Sequence, residues 1–359
     1  MKKLNTFQKY FVEEFYDDYR EGHLTRREFI RRVAYITGSM AAAASAMSML
    51  GCAASELPDP TEPIPPPAET PPPAEPAATS PPPPTDTPAP APTEEPAAEE
   101  AAAPTEEAAP AEAQLEPVPG AQSPLSVPEG DPAVQAGDVT FTSQGDEISA
   151  YLARPVEAGV YPAILVCHEN RGLTPHIRDV ARRFAKEGYV ALALDLLSRE
   201  GGSANQDADQ VPALLSDAPP ERHVGDFAAG FDYLRTLDYV AGDRIGMTGY
   251  CFGGGITWRC AVALPELKAA VPFYGPAPDL EQAPNIQAAV LGVYAELDER
   301  INAGKDPLEQ ALIAAGATFR MNVYPGVNHA FHNDTGERYV EAQATQAWMD
   351  TLAWFEEHL

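Results

Sequence analysis

The 359 residues are 44% hydrophobic and 21% charged, and 24 Lys and Arg stand against 53 Asp and Glu for a formal net charge of −29. So acidic a chain lacks the basic surface that nucleic-acid phosphates require and is repelled by anionic lipid surfaces. The 38 prolines are also in excess for a globular domain, and both anomalies are local. Residues 1–52 carry 8 basic and 6 acidic residues. Residues 53–132 carry 16 acidic residues, no Lys or Arg, and 25 of the prolines. Residues 133–359 carry 16 basic and 31 acidic residues. This divides the chain into a leader (1–52), a linker (53–132) and one domain (133–359) able to build a core.

In the leader, Thr25-Arg26-Arg27-Glu28-Phe29-Ile30-Arg31 resembles a twin-arginine export motif. An uncharged, weakly apolar stretch over 33–50 follows, as such a signal requires. It ends in Met49-Leu50-Gly51-Cys52, which resembles a lipobox and marks Cys52 for lipidation. The expectation is an exported protein held on the extracytoplasmic side by an N-terminal lipid or signal anchor, with the twin-arginine machinery as a partner. The linker, with runs such as Pro65-Pro66-Pro67 and Glu-Ala-Pro repeats, has too few large apolar residues to offset ordering entropy. Proline stiffness and like-charge repulsion extend it to at most roughly 250 Å.

The domain then alternates strands and helices. Residues 139–142 and 148–153 alternate as antiparallel strands around Gly145-Asp146, and 163–167 is a continuous apolar run suited to a buried parallel strand. Residues 174–187 have helical spacing, with Gly188 as the C-terminal stop. Strands are expected over 190–194, 245–248, 269–273, 288–293 and 320–324, and helices over 224–237, 252–262, 308–315 and 339–359. This order predicts an α/β fold with a mostly parallel central sheet, helices on both faces, and chemistry at the carboxyl ends of the strands.

Three motifs fall there. Gly249-Tyr250-Cys251-Phe252-Gly253-Gly254 follows a strand and opens a helix, the nucleophile-elbow pattern with Cys in place of Ser. Such a strained turn needs small residues two positions either side, and its helix aims amides at the site, which lowers a thiol pKa. Asp298 lies just past a strand, where it can orient a histidine, with Glu296 and Glu299 as rivals. His329 follows the next strand and can shuttle a proton, with His332 as its rival. The order Cys251, Asp298, His329 is that of α/β-hydrolases. A fourth motif, His168-Glu169-Asn170-Arg171-Gly172, begins like a zinc site but has Gly172 where the second ligand belongs. Zinc is therefore not expected. Its position instead suits an oxyanion hole made from the Asn170 and Phe252 backbone amides. Cys167 and Cys260 read as buried, small apolar residues.

Residues from about 137 to the C-terminus resemble the dienelactone hydrolase family of α/β-hydrolases. The residues carrying the resemblance are His168-Glu169 through Gly172, the Cys251 elbow, Asp298, and His329 with Phe331. It implies cofactor-free hydrolysis of cyclic enol-lactones such as 4-carboxymethylenebut-2-en-4-olide. It also implies a role for Glu169: to contact the resting thiol and accept its proton when substrate binds. Family members active on dienelactone hold the substrate carboxylate with arginines, one of them four residues after the catalytic histidine. Here that residue is Asn333, which leaves Arg199 and Arg222 as candidates. The alternatives are a general carboxylesterase or thioesterase of the same fold, and a non-catalytic surface binding lipoprotein.

Overall fold

The computed structural model describes residues 4–39, 43 and 115–359. Cys52 and linker residues 53–114 lie outside the described residues.

Eight strands form one sheet: β1 (Val134–Ser143), β2 (Asp146–Pro155), β3 (Tyr161–Cys167), β4 (Val190–Leu194), β5 (Val240–Tyr250), β6 (Ala269–Phe273), β7 (Ala289–Ala295) and β8 (Phe319–Tyr324), in the order β1-β2-β4-β3-β5-β6-β7-β8. β2 pairs antiparallel with both neighbours, and every pairing from β4 to β8 is parallel. The β1–β2 turn is the two residues Gln144 and Gly145, both at positive φ, as a tight hairpin requires. The central strands β4, β6 and β7 are buried along their whole length because helices cover both faces. This is an α/β-hydrolase fold.

The helices of the described residues are α1 (Thr6–Arg20), α2 (Arg26–Thr37), α3 (Pro175–Lys186), α4 (Val211–Asp217), α5 (Pro220–Arg235), α6 (Phe252–Ala263), α7 (Glu299–Asn302), α8 (Lys305–Ala315) and α9 (Glu341–His358). α3 shows how local sequence sets these elements. Thr174 caps its start, Pro175 occupies its first turn, Ile177, Val180, Ala181 and Phe184 are fully buried, and Gly188 lies just beyond at φ +87°.

The structure corrects the linker's end, expected at residue 132. Residues 115–132 pack on the body: Val118 and Val127 are buried, the Val127 amide donates to Asp179 (2.7 Å), and Arg182 Nε donates to the Val127 carbonyl (2.7 Å). Proline-rich composition hid these anchors.

The leader also holds structure that its reading as a signal did not foresee. Asn5 with Gln8 and Thr25 with Glu28 form capping boxes that start α1 and α2, and Gly38 ends α2 at φ +78°. Phe7, Phe11, Phe15, Phe29 and Val33 are fully buried. The hairpin is tied to the body by Asn5 to the Ser216 carbonyl (2.7 Å), Arg32 to Asp209 (2.9 Å), Arg300 to Asp17 (3.2 Å), and Arg338 to Asp18 and Glu21 (2.7 Å each). No helix among the described residues is long and apolar enough to cross a membrane.

Candidate active site

The site is assembled at the carboxyl ends of β3, β5, β7 and β8. Cys251 sits between β5 and α6 at φ +58°, a conformation held by its surroundings. A Cβ at Gly253 would lie 2.5 Å from the His168 carbonyl oxygen and 2.6 Å from that of Cys167, and one at Gly249 would strike the Gly253 carbonyl. The small residues expected two positions either side of the nucleophile are thus demanded by close backbone packing. The Cys251 amide donates to the Phe273 carbonyl (3.1 Å), fixing the turn to β6.

Asp298 caps α7, with one carboxylate oxygen accepting from the Ile301 amide (3.2 Å) and the other from His329 Nδ1 (2.5 Å). Burial pushes the Asp298 carboxyl up, but His329, Arg300 and the Ile301 amide together hold it below its ordinary value. The rivals Glu296 and Glu299 are exposed, and Glu296 accepts from the Gly326 amide instead. His329 is 6% exposed, its Nε2 has no hydrogen-bond partner, and one of its ring nitrogens lies within 4.8 Å of the Cys251 sulfur. His332 is buried elsewhere, stacked on Tyr250 at 5.0 Å.

Three findings depart from expectation. First, the thiol pKa is not lowered overall, although the Phe252 amide at the helix end acts in that direction. Burial, together with the Glu14 and Glu169 carboxylates, pushes the Cys251 thiol well above its ordinary value, against weaker opposing hydrogen bonds from Tyr10 and the Phe252 amide. Second, the thiol's carboxylate contact is Glu14 of α1, with oxygens at 3.5 and 3.7 Å, and the Tyr10 hydroxyl lies at 3.3 Å. Glu169 is turned to the Asn333 side-chain amide (2.5 Å), and burial raises its carboxyl. Third, Arg199 and Arg222 are away from the site: Arg199 binds Asp146 (2.6 Å) and Asp226 (2.7 Å), and Arg222 binds Glu200 (2.8 Å). They are structural because the stretch after β4 folds back toward the β1–β2 turn.

A cavity of about 370 Å³ reaches Cys251 and His329 between the hairpin and the body, and Glu169, Asn170, Arg171 and Arg338 line it. Glu14, Cys251 and His329 present ligand-type atoms within 4.8 Å of one another.

Tyr10, Glu14, Arg300 and Arg338 are site residues that sequence reasoning missed. A signal was present for the first two. Phe7, Tyr10, Phe11, Glu14 and Phe15 share one helical face behind a capping box, which is a docking face rather than a random leader.

An eight-stranded, mostly parallel sheet carrying a strained cysteine elbow after β5 and a buried Asp–His pair after β7 and β8 defines an α/β-hydrolase with a cysteine nucleophile position. The Dienelactone hydrolase family model matches residues 148–359. The chain is 38% identical over 255 residues to a protein of Salmonella typhi named “Putative carboxymethylenebutenolidase”, covering 67% of this chain and 93% of that protein. A protein of the same name from Escherichia coli strain K12 is 38% identical over 256 residues, covering 66% and 94%. The crystal structure titled “Putative Dienelactone Hydrolase from Klebsiella pneumoniae subsp. pneumoniae MGH 78578” superposes with a TM-score of 0.59 at 35% identity, covering 63% of this chain and all of that one. The chain belongs to the dienelactone hydrolase family, as an ester and lactone hydrolase.

Proposed function

We propose that the protein hydrolyses carboxylic esters and lactones of the carboxymethylenebutenolidase type through an acyl-enzyme on Cys251. The observation that carries this is the 2.5 Å Asp298–His329 bond, which leaves Nε2 unpartnered on a ring that has a nitrogen within 4.8 Å of the Cys251 sulfur. In this reading His329 takes the thiol proton as the sulfur attacks the carbonyl carbon, and Asp298 fixes the tautomer and stabilises the imidazolium. The Asn170 and Phe252 amides hold the oxyanion. His329 returns the proton to the leaving alcohol, and water then cleaves the thioester to release the acid. Glu169 has the second acid–base role, since burial raises its carboxyl and its charge is felt at the thiol.

Cys251→Ala and His329→Ala are each expected to abolish turnover of an aryl acetate and of an enol-lactone while the melting temperature is kept. Full turnover in either variant would refute the assignment. The reading extends to export. Its support is the Thr25–Arg31 motif, the uncharged stretch after it, and Cys52. Cells expressing the chain should yield membrane-bound protein beginning at Cys52 with a lipid label. Unlabelled full-length protein in the cytoplasm would count against it.

A further inference from the structure

Arg300 lies close enough to Cys251 for their charges to interact, and its ion-pair partners come from the hairpin rather than the body. Its ion pairs are with Asp17 (3.2 Å) and Glu14 (3.8 Å), and its guanidinium lies 4.6 Å from the Tyr10 ring centre. All three residues belong to α1. Its Nη1 is buried with no hydrogen-bond partner. The Asn170 side-chain amide, also in the body, donates to the same Glu14 carboxylate that approaches Cys251 Sγ to 3.5 Å. Without α1, the body presents a guanidinium, an amide donor and a thiol around a space the size of one carboxylate. Hydrolysis of an ester makes such a group at this sulfur: the acid released when water cleaves the thioester.

We propose that Arg300 and Asn170 form a carboxylate subsite beside Cys251, that Glu14 is its internal ligand in the full chain, and that the acid product of hydrolysis binds there in competition with Glu14. This rests on the hydrolase reading above. Glu14 competes at the high local concentration of a tethered group, anchored by the buried Phe7, Phe11 and Phe15. Cleavage ahead of Cys52 would remove the internal ligand and leave the subsite to external acids. Charge-assisted, forked hydrogen bonding makes arginine the suitable anchor.

The test uses the full chain and 2-furoate as the probe acid, with iodoacetamide alkylation of Cys251 mapped by mass. In Glu14→Ala, 2-furoate should slow alkylation at a concentration at least about tenfold lower than in the wild type, because the internal competitor is gone. Adding Arg300→Gln should abolish this protection. Adding Arg300→Lys, which keeps the charge, should retain part of it, so that loss with Gln is not read as misfolding. Equal half-protecting concentrations in wild type and Glu14→Ala, or protection that survives Arg300→Gln, would overturn the proposal. Aryl ester turnover is measured separately. Wild-type and Glu14→Ala proteins both inactive on the ester, with Arg300-dependent protection, would sink the hydrolase reading and leave the subsite standing.

Discussion

Replacing Phe11 by Ala isolates what the hairpin does to the thiol. Phe11 is fully buried, lies 5.5 Å from the Phe252 ring beside the nucleophile, and stacks on Phe15 at 6.3 Å. Its ring packs against Tyr10, Phe15 and Phe252 rather than against Cys251, Asp298 or His329, so its loss acts through docking. A fully buried Phe→Ala change removes about 3–5 kcal/mol. At 1.4 kcal/mol per tenfold, the undocked hairpin should rise in population from roughly 10²-fold to several thousandfold. Two measurements read this. Hydrogen exchange over residues 6–37 should accelerate while β3–β7 stay protected, and iodoacetamide labelling of Cys251 should accelerate by a comparable factor, since the thiol is only 3% exposed with the hairpin in place. Faster exchange in the hairpin with an unchanged labelling rate would refute the reasoning, because the thiol would then be shielded by the body alone.

Glu14→Gln removes one of the two charges that favour the neutral thiol, so the pH profile of Cys251 alkylation should move to lower pH; an unmoved profile would mean that burial and Glu169 set it without Glu14. Asp298→Asn should reduce kcat on the order of 10²- to 10⁴-fold with little change in KM, read by steady-state kinetics on an aryl acetate. Asp334→Asn should lower stability by about 3 kcal/mol, at the low end for a broken buried pair because Arg183 keeps Asp179. The native Asp334 carboxyl is raised by burial, but His176, Arg183 and the Ser123 amide outweigh this and hold it far below its ordinary value. A depressed folded pKa stabilises above the unfolded value and is lost as pH falls below it, so the wild-type melting temperature should drop below about pH 4 and the variant's should drop less.

The parts of the fold that were legible are those where one physical requirement dominates. β4 and β6 run over the same residues in sequence and structure because an all-apolar run of five leaves no choice of period. Chain order and the position after each strand brought Cys251, Asp298 and His329 together, since a parallel sheet delivers every strand end to one edge. α4 was missed because Val211–Asp217 is too short for a periodic signal, and α7 because four residues started by the Asp298 cap carry none. Arg199 and Arg222 were misplaced because a loop's return path depends on partners such as Asp226 and Glu200, which no local pattern reveals. The pKa of Cys251 was misjudged for a related reason: the helix-end field was visible in the motif, whereas the two carboxylates and full burial are properties of the assembled site.

The leader is the informative failure. Its motif and its second capping box occupy the same residues: Thr25 opens the export-like motif and also caps α2, and Phe29 of that motif is fully buried. A segment read only by its address therefore concealed a docking face. The residues that dock it are spent on the site itself. Arg300 neutralises Glu14 and Asp17 while lending its charge to Asp298, and so helps hold the Asp298 carboxylate ionised beside His329. Removing the hairpin would take away Glu14, one of the charges holding the thiol neutral, and free Arg300 to favour the thiolate. Both changes favour the thiolate while the loss of the Tyr10 hydrogen bond opposes them, so seating of α1 shifts the ionisation of a nucleophile that burial and Glu169 also control.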